Sequence, residues 1–419
     1  MLSKASYRLG IQRLMNNQLL ELTEYQPTSV ELTQQQVQQL AQLAPSIAVS
    51  PSSESLGVYK LTADSRIGVV NLPDLQVLVR PKIPMSRAMF LIAYSLDAAY
   101  WQRSGFNFDV EAPLLESMIP GFIRQVRRAL SHGVLHGYRT EEDSLPTIRG
   151  RLRLEDQIRT RHGMLIPAEV RFDEFTEDIN ENRLIKAALF LLRKMVLRSD
   201  SSRRQLHEFD HLLGRVTLTE YHPTNLPLVT YTGLNDRYRS AVELSKLILR
   251  SASIELRQGS SNSSAFIIDM NAVFENFVVT ALRESLGLSQ RAFPQNFSMH
   301  LDHNRQIPIK PDLSWQEGER CVFIGDVKYK RTRSIKGENP DIYQVLSYAV
   351  AADLRNTMLV YAKGEVEESK YHVGDPSCQI EIHALDISLS PQMILGQIAA
   401  IAQRIREHRT NALSKTHVA

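Results

Sequence analysis

Residues 310–330, KPDLSWQEGERCVFIGDVKYK, constrain the fold more than any other stretch of this sequence. They predict two strands joined by a turn at Gly318, and the second strand runs apolar through CVFIG before it meets Asp326 and Lys328. Side chains two apart on a strand leave the same face of a sheet. Val322, Ile324, Asp326 and Lys328 therefore share one face, with both charges at the end of an apolar row. Burying even one such charge unpaired costs several kcal/mol, so the fold has to supply partners. Asp312 stands one strand earlier, behind Pro311, which keeps that strand from pairing normally at this point. A simple hairpin register about Gly318 sets Asp312 opposite a residue near Phe323, so it reaches Asp326 only through twist or splaying of the strands.

If the acids converge, the carboxylates of Asp312 and Asp326 and the backbone carbonyl of Val327 offer hard oxygen ligands suited to Mg²⁺. Lys328 could then orient or deprotonate a water, or face the charge developing on a phosphate. Phosphodiester hydrolysis requires these functions together. Glu275, on the helix predicted from IDMNAVFENFVVTALRESLG, could add a carboxylate or could be a solvated helix position. The helix carrying DIYQVLSYA puts Gln344 and Tyr348 one turn apart on one face, where they could position a DNA phosphate or hold Lys328, or where Tyr348 could simply be an aromatic at the edge of the core. Between strand and helix, Lys330, Arg331, Arg333 and Lys336 form a charge run that alone would read as a solvated loop, but its place next to the acids favours contact with a DNA backbone.

At 419 residues the chain is too long for one compact core, and 43% hydrophobic with 23% charged residues is ordinary globular composition. A net charge of +3 does not by itself announce a nucleic-acid binder. Two cysteines, Cys321 and Cys378, exclude a disulfide framework and a four-cysteine zinc site and suit a reducing cytosol. The opening MLSKASYRLGIQRLMNNQ lacks the apolar run of a signal peptide, and no apolar stretch of about 20 residues follows, so a soluble cytoplasmic protein without membrane contact is expected.

The predicted class is mixed, α+β or α/β. A short helix is expected at 33–43, then a polar connector, then a β-rich segment over 55–84. Helical periodicity dominates 85–257, interrupted at 134–154 by two strands joined by an acidic, Pro-containing turn, either an ordinary surface hairpin or one that projects from the body to insert into a partner. Leu184, Ala187, Ala188, Leu191 and Leu192 form the apolar stripe of one helix, and two further helices are expected near 203–213 and 238–257. QGSSNSSAF at 258–266 predicts a linker between an N-terminal region, 1–257, and a C-terminal domain, 267–419. In that domain the order is helix, strands at 296–301, 307–314 and 321–329, helix at 340–353, strands at 356–361 and 379–385, and a terminal amphipathic helix from Pro391.

Pro-Asp, Asp-x-Lys and Gln-x-x-x-Tyr, in the order helix, strand, strand, helix, resemble the PD-(D/E)XK nuclease superfamily. With LVRPKIP at 78–84 and FTEDINENRLIKAAL at 175–189, the chain is similar to the McrC family, the nuclease subunits of McrBC 5-methylcytosine restriction systems. The resemblance implies a restriction-endonuclease-like C-terminal domain, a Mg²⁺-dependent endodeoxyribonuclease, and catalytic roles for Asp312, Asp326, Lys328 and Glu275. It implies as partners a hexameric GTP-hydrolysing AAA+ subunit, on which the N-terminal half docks and whose hydrolysis it stimulates, and double-stranded methylated DNA. Absence of GxxxxGK[ST] from this chain agrees with a separate motor.

Two other readings compete. HEFDH at 207–211 satisfies H-E-x-x-H, which would make His207 and His211 zinc ligands and Glu208 a general base, but Asp210 puts a charge inside the motif and a third ligand is not evident. A non-enzymatic ring-docking scaffold with an unused nuclease fold is the second. The intact Asp312, Asp326 and Lys328 argue against it.

Overall fold

The computed structural model describes residues 12–14, 17–53, 57–96, 114–162, 164–194, 199–223, 225–254, 264–295, 297–329, 339–362, 369–373 and 378–414. The chain forms two compact units, Met1–Ser117 with Ser253–Ala419, and Met118–Ala252. The first unit opens with β1 (Gln12–Leu14), β2 (Asn17–Thr23), β3 (Pro27–Glu31), α1 (Gln34–Leu43), β4 (Ile47–Pro51), β5 (Val58–Ala63), β6 (Arg66–Asn71), β7 (Leu75–Arg80) and α2 (Met85–Leu96). The helix expected at 33–43 forms because Thr33 and Gln36 cap it reciprocally: the Thr33 hydroxyl accepts the Gln36 N–H at 3.2 Å, and the Gln36 amide oxygen accepts the Thr33 N–H at 2.9 Å. The connector predicted after it contains β4, which pairs with β5 in the three-stranded sheet β3-β5-β4.

The second unit holds most of α3 (Leu114–Ala129), then β8 (Gly137–Leu145), β9 (Arg151–Leu152), α4 (Leu154–Arg161), β10 (Ala168–Thr176), α5 (Asn180–Lys194), α6 (Asp200–Leu212) and α7 (Arg239–Ser251). The predicted apolar stripe is observed, with Leu184, Ala187, Ala188 and Leu192 buried and Leu191 half-buried. The hairpin expected over 134–154 needs correction: β8 and β9 do not pair with each other, and β10 lies between them in the order β8-β10-β9. β10 matches β8 antiparallel from Ala168↔Leu145 to Thr176↔Gly137, whereas β9 offers β10 only Val170↔Leu152 and Arg171↔Arg151. The longer ladder takes the central place.

The first unit resumes with β11 (Ala252–Ile254), β12 (Ser264–Asp269), α8 (Met270–Leu286), β13 (Met299–His300), β14 (Pro308–Ile309), β15 (Leu313–Glu317), β16 (Arg320–Lys328), α9 (Asn339–Ala351), β17 (Asn356–Ala362), β18 (Ser369–Val373), β19 (Cys378–Leu385) and α10 (Pro391–Ser414). Of the linker expected at 258–266, residues 258–263 lie outside the described residues, and 264–266 begin β12, which pairs with β6 in the sheet β1-β2-β7-β6-β12-β11. The β-rich segment and the C-terminal part therefore share one unit, in place of the boundary expected between them. Gly68 permits this pairing: its φ is +150°, and a Cβ there would stand 1.9 Å from the Phe266 carbonyl oxygen.

The strand expected at 307–314 is broken at Pro311 into β14 and β15. The remaining strands form the mixed sheet β15-β16-β17-β19-β18, with β16, β17 and β19 parallel and both outer pairs antiparallel. On one face, Val345 and Tyr348 of α9 pack on Ile324, Leu359, Tyr361, Ile380 and Ile382. α10 packs on α8, β16 and β19, burying Ile394, Ile398, Ile401 and Ile405. Among the described residues no helix is long and apolar enough to cross a membrane.

Candidate functional site

A β-bulge resolves the register of the acids. Near the turn, Glu317 faces Arg320 and Gln316 faces Cys321, but Trp315 faces Phe323 and Leu313 faces Gly325, so Val322 is an extra residue on β16. Continuing that register by one residue sets Asp312 across from Asp326, where a bulge-free hairpin would have missed it. The Asp312 carboxylate oxygen Oδ2 accepts the Val327 N–H at 3.0 Å, which ties Asp312 to the backbone between Asp326 and Lys328. The convergence needs no splaying of the strands.

Asp326 is buried, 1% exposed. Lys328 Nζ lies 2.5 Å from Asp326 Oδ2 as an ion pair, yet neither carboxylate oxygen receives a well-angled hydrogen bond. Burial, and then the repulsion of Asp312, push the Asp326 carboxyl up, against the pull of Lys328. Burial disfavours the Lys328 ammonium, but Asp326 beside it, with Asp312 and Asp341, outweighs that and raises its pKa. Glu275, half-buried on α8, is pushed up to about 7 by burial and then by Asp312, while Lys328 opposes the shift. Asp312, Asp326, Lys328 and Glu275 are thus close enough to act electrostatically on one another.

Gln344 and Tyr348 meet as their spacing predicts. The Gln344 amide donates to the Tyr348 hydroxyl at 2.6 Å, and that hydroxyl donates to the Lys310 carbonyl at 3.2 Å. Tyr348 is on the buried face of α9 that packs on the sheet, and burial, then Asp326 and Asp312, against the Gln344 hydrogen bond, push its hydroxyl up to about 12. The pair holds the chain two residues before Asp312. Lys330, Arg331, Arg333 and Lys336 lie outside the described residues.

Asp341 is a residue that the sequence pattern did not single out. It is buried, accepts the Tyr361 hydroxyl at 2.6 Å and contributes to the field at Lys328. Its signal was only that of an acid in the first turn of a helix, which the helix dipole favours anywhere. The HEFDH segment lies on α6 with His207, Glu208 and His211 exposed and Asp210 paired with Arg193. Among the described residues no three His, Cys, Asp or Glu side chains are grouped to hold a metal ion.

The model of the family described as "McrBC 5-methylcytosine restriction system component" matches residues 61–362. Among curated proteins none matches. Of solved structures, a refined half-complex from the tetradecameric assembly of Thermococcus gammatolerans McrB AAA+ hexamers with bound McrC matches at TM-score 0.54 and 17% identity, covering 92% of this chain and 100% of that one. The cryo-EM structure of the Thermococcus gammatolerans McrBC complex matches at TM-score 0.40 and 20% identity, covering 64% of this chain and 88% of that one.

Proposed function

The chain belongs to the McrBC 5-methylcytosine restriction system component family, and from that premise we propose that it is the DNA-cutting subunit, a PD-(D/E)XK endonuclease that works with a GTP-hydrolysing AAA+ hexamer on methylated duplex DNA. The observation that carries this reading is the Asp312 carboxylate accepting the Val327 N–H, next to Asp326, together with the Asp326–Lys328 ion pair. A buried carboxylate with one lysine beside it and the like charge of Asp312 close by still lacks well-angled hydrogen bonds at both oxygens, and a cation would relieve that repulsion and desolvation. Asp312, Asp326 and the Val327 carbonyl would hold Mg²⁺, two carboxylates and one backbone oxygen in keeping with an ion that retains water ligands. Once bound, the ion supplies Lewis-acid polarisation of a phosphate oxygen.

The chain's own residues account for the rest. Lys328 places a fixed positive charge beside Asp326, where it can face a non-bridging phosphate oxygen as negative charge grows there. Glu275, with a pKa near neutrality, is suited to take the proton from the attacking water as its oxygen bonds to phosphorus and the backbone P–O bond breaks. Gln344 and Tyr348 hold the Lys310 carbonyl and thereby the approach to Asp312.

We assign docking on the AAA+ ring to the sheet β8-β10-β9 and the adjoining α4. Tyr138, Ile158, Met164, Leu165 and Phe175 stand exposed there, and the Tyr138 and Phe175 rings lie 5.2 Å apart on adjacent strands. Exposed apolar side chains gathered on a small sheet and the helix and loop beside it mark an interaction surface. The bound McrC of the Thermococcus assembly supports a ring as the occupant.

The deciding experiment is Asp326→Ala in the reconstituted complex with GTP, Mg²⁺ and methylated DNA. Cleavage should be lost while stimulation of GTP hydrolysis persists. Undiminished cutting would refute the nuclease assignment, and simultaneous loss of GTPase stimulation would show that the variant had lost docking instead.

A further inference from the structure

The LVRPKIP segment is absorbed by none of the chemistry above, yet it delivers Lys82 to the end of the strand that carries Asp326 and Lys328. Lys82 Nζ donates to the Tyr329 carbonyl at 2.8 Å and lies 3.9 Å from the centre of the Tyr329 ring and 5.3 Å from that of Tyr25. Glu24 Oε1 accepts both the Lys82 N–H at 2.6 Å and the Tyr329 hydroxyl at 2.7 Å. Residue 329 is therefore gripped twice, by its carbonyl and by its hydroxyl, from two segments some 250 to 300 positions earlier in the chain. Glu24 is 1% exposed and its Oε2 has no hydrogen-bond partner; burial pushes its carboxyl up, opposed by the Lys82 N–H, then the Tyr329 hydroxyl and then the Lys82 charge. Tyr329 immediately follows Lys328, and Phe274 of α8, one residue before Glu275, packs on its ring at 5.8 Å. The same cluster thus touches the neighbours in sequence of two candidate catalytic groups.

We infer that Lys82, with Glu24 and Tyr329, positions Lys328 for phosphodiester cleavage. Lys82 acts through the Tyr329 backbone and touches neither substrate nor reacting atoms, so it is a positioning residue. The carbonyl grip from Lys82 and the hydroxyl grip from Glu24 hold Tyr329 just past Lys328↔Tyr361, where the parallel ladder with β17 ends. A cation that must meet a phosphate oxygen to within an ångström gains from a fixed main chain, and a shift of about 1 Å costs on the order of 100-fold in rate. The inference rests on the nuclease reading, and its test separates the two.

In the reconstituted complex, Lys82→Met should lower kcat by about 10- to 100-fold with KM for DNA changed by less than about twofold, because substrate contacts stay in place. Lys82→Arg, which can still donate to the carbonyl, should recover most of kcat. Tyr329→Phe deletes only the hydroxyl grip and should lower kcat in the same direction but less, so it decides the matter if Lys82→Met does not fold. Asp326→Ala is run beside them. If Asp326→Ala is inactive while Lys82→Met and Tyr329→Phe both cut at the wild-type kcat, the positioning role is overturned and the nuclease reading stands. A raised KM with a flatter salt dependence and unchanged kcat would make Lys82 a direct phosphate contact and would equally overturn it. If Asp326→Ala cuts like wild type, the nuclease reading falls and takes this inference with it.

Discussion

The Asp178 carboxylate accepts five hydrogen bonds in the second unit, and its replacement by Asn gives a quantitative test of how that unit is held together. Oδ1 accepts Arg183 Nε at 2.8 Å and the Thr217 N–H at 2.8 Å, while Oδ2 accepts Arg183 Nη2 at 2.7 Å, the Thr217 hydroxyl at 2.7 Å and Arg139 Nη1. One carboxylate thus joins β8, the start of α5 and the segment after α6. The Arg183 guanidinium, followed by Thr217 and Arg139, holds the carboxyl well below the usual range against the cost of burial. Asn keeps the shape but turns an amide N–H₂ toward two arginines. Breaking a buried ion pair costs about 3–5 kcal/mol, and with both arginines partly solvated the lower end, about 3 kcal/mol, applies. At about 1.4 kcal/mol per factor of ten, local opening rises roughly 100-fold. The assay is amide hydrogen exchange by mass spectrometry over peptides spanning 168–194, which lie in the second unit. A group with a depressed folded pKa contributes fully above its unfolded pKa of about 3.9 and loses that contribution as pH falls toward the folded value. The wild-type advantage should therefore be about 100-fold at pH 7, unchanged at pH 5, and smaller by roughly tenfold for each unit below about 3.9. A gap under threefold at pH 7, or one that does not shrink in acid, would refute the reasoning.

Gly68→Ala should lower stability by at least about 2 kcal/mol and reduce the melting temperature of the first unit, since its Cβ would meet the Phe266 carbonyl in a backbone region where side chains are strained; an unchanged melt would show that β6 and β12 separate at little cost. Replacing both His207 and His211 by Ala should leave zinc content unchanged and stability within about 0.5 kcal/mol, as for other exposed positions; loss of bound zinc would revive the metalloprotease reading.

Asp326 and Lys328 were legible because charge at the end of an apolar period-two row is improbable without a task, and no tertiary detail alters which face they share. The order of elements around them was legible for the same reason, since each has its own period. Register was not. The bulge at Val322 is set by competition between the turn at Gly318, which favours Glu317↔Arg320, and the core, which buries Val322 and Phe323 together. Both pairings satisfy the local pattern, and only packing chooses between them. The same limit hid β10 between β8 and β9: EVRFDEFT alternates as a strand does, but its acids also suit the approach to a helix. β12 was masked more thoroughly, because a Gly/Ser/Asn stretch precedes it and the partner that orders it, β6, lies almost 200 residues earlier. Lys82 and Glu24 show where such limits matter for function. Neither belongs to a periodic pattern that points at Tyr329, and their bonds to it bridge separations of 247 and 305 residues. Residues that perform chemistry carry a local signature because their types are unusual for their place. Residues that only position them look like ordinary loop charges until the fold brings the segments together.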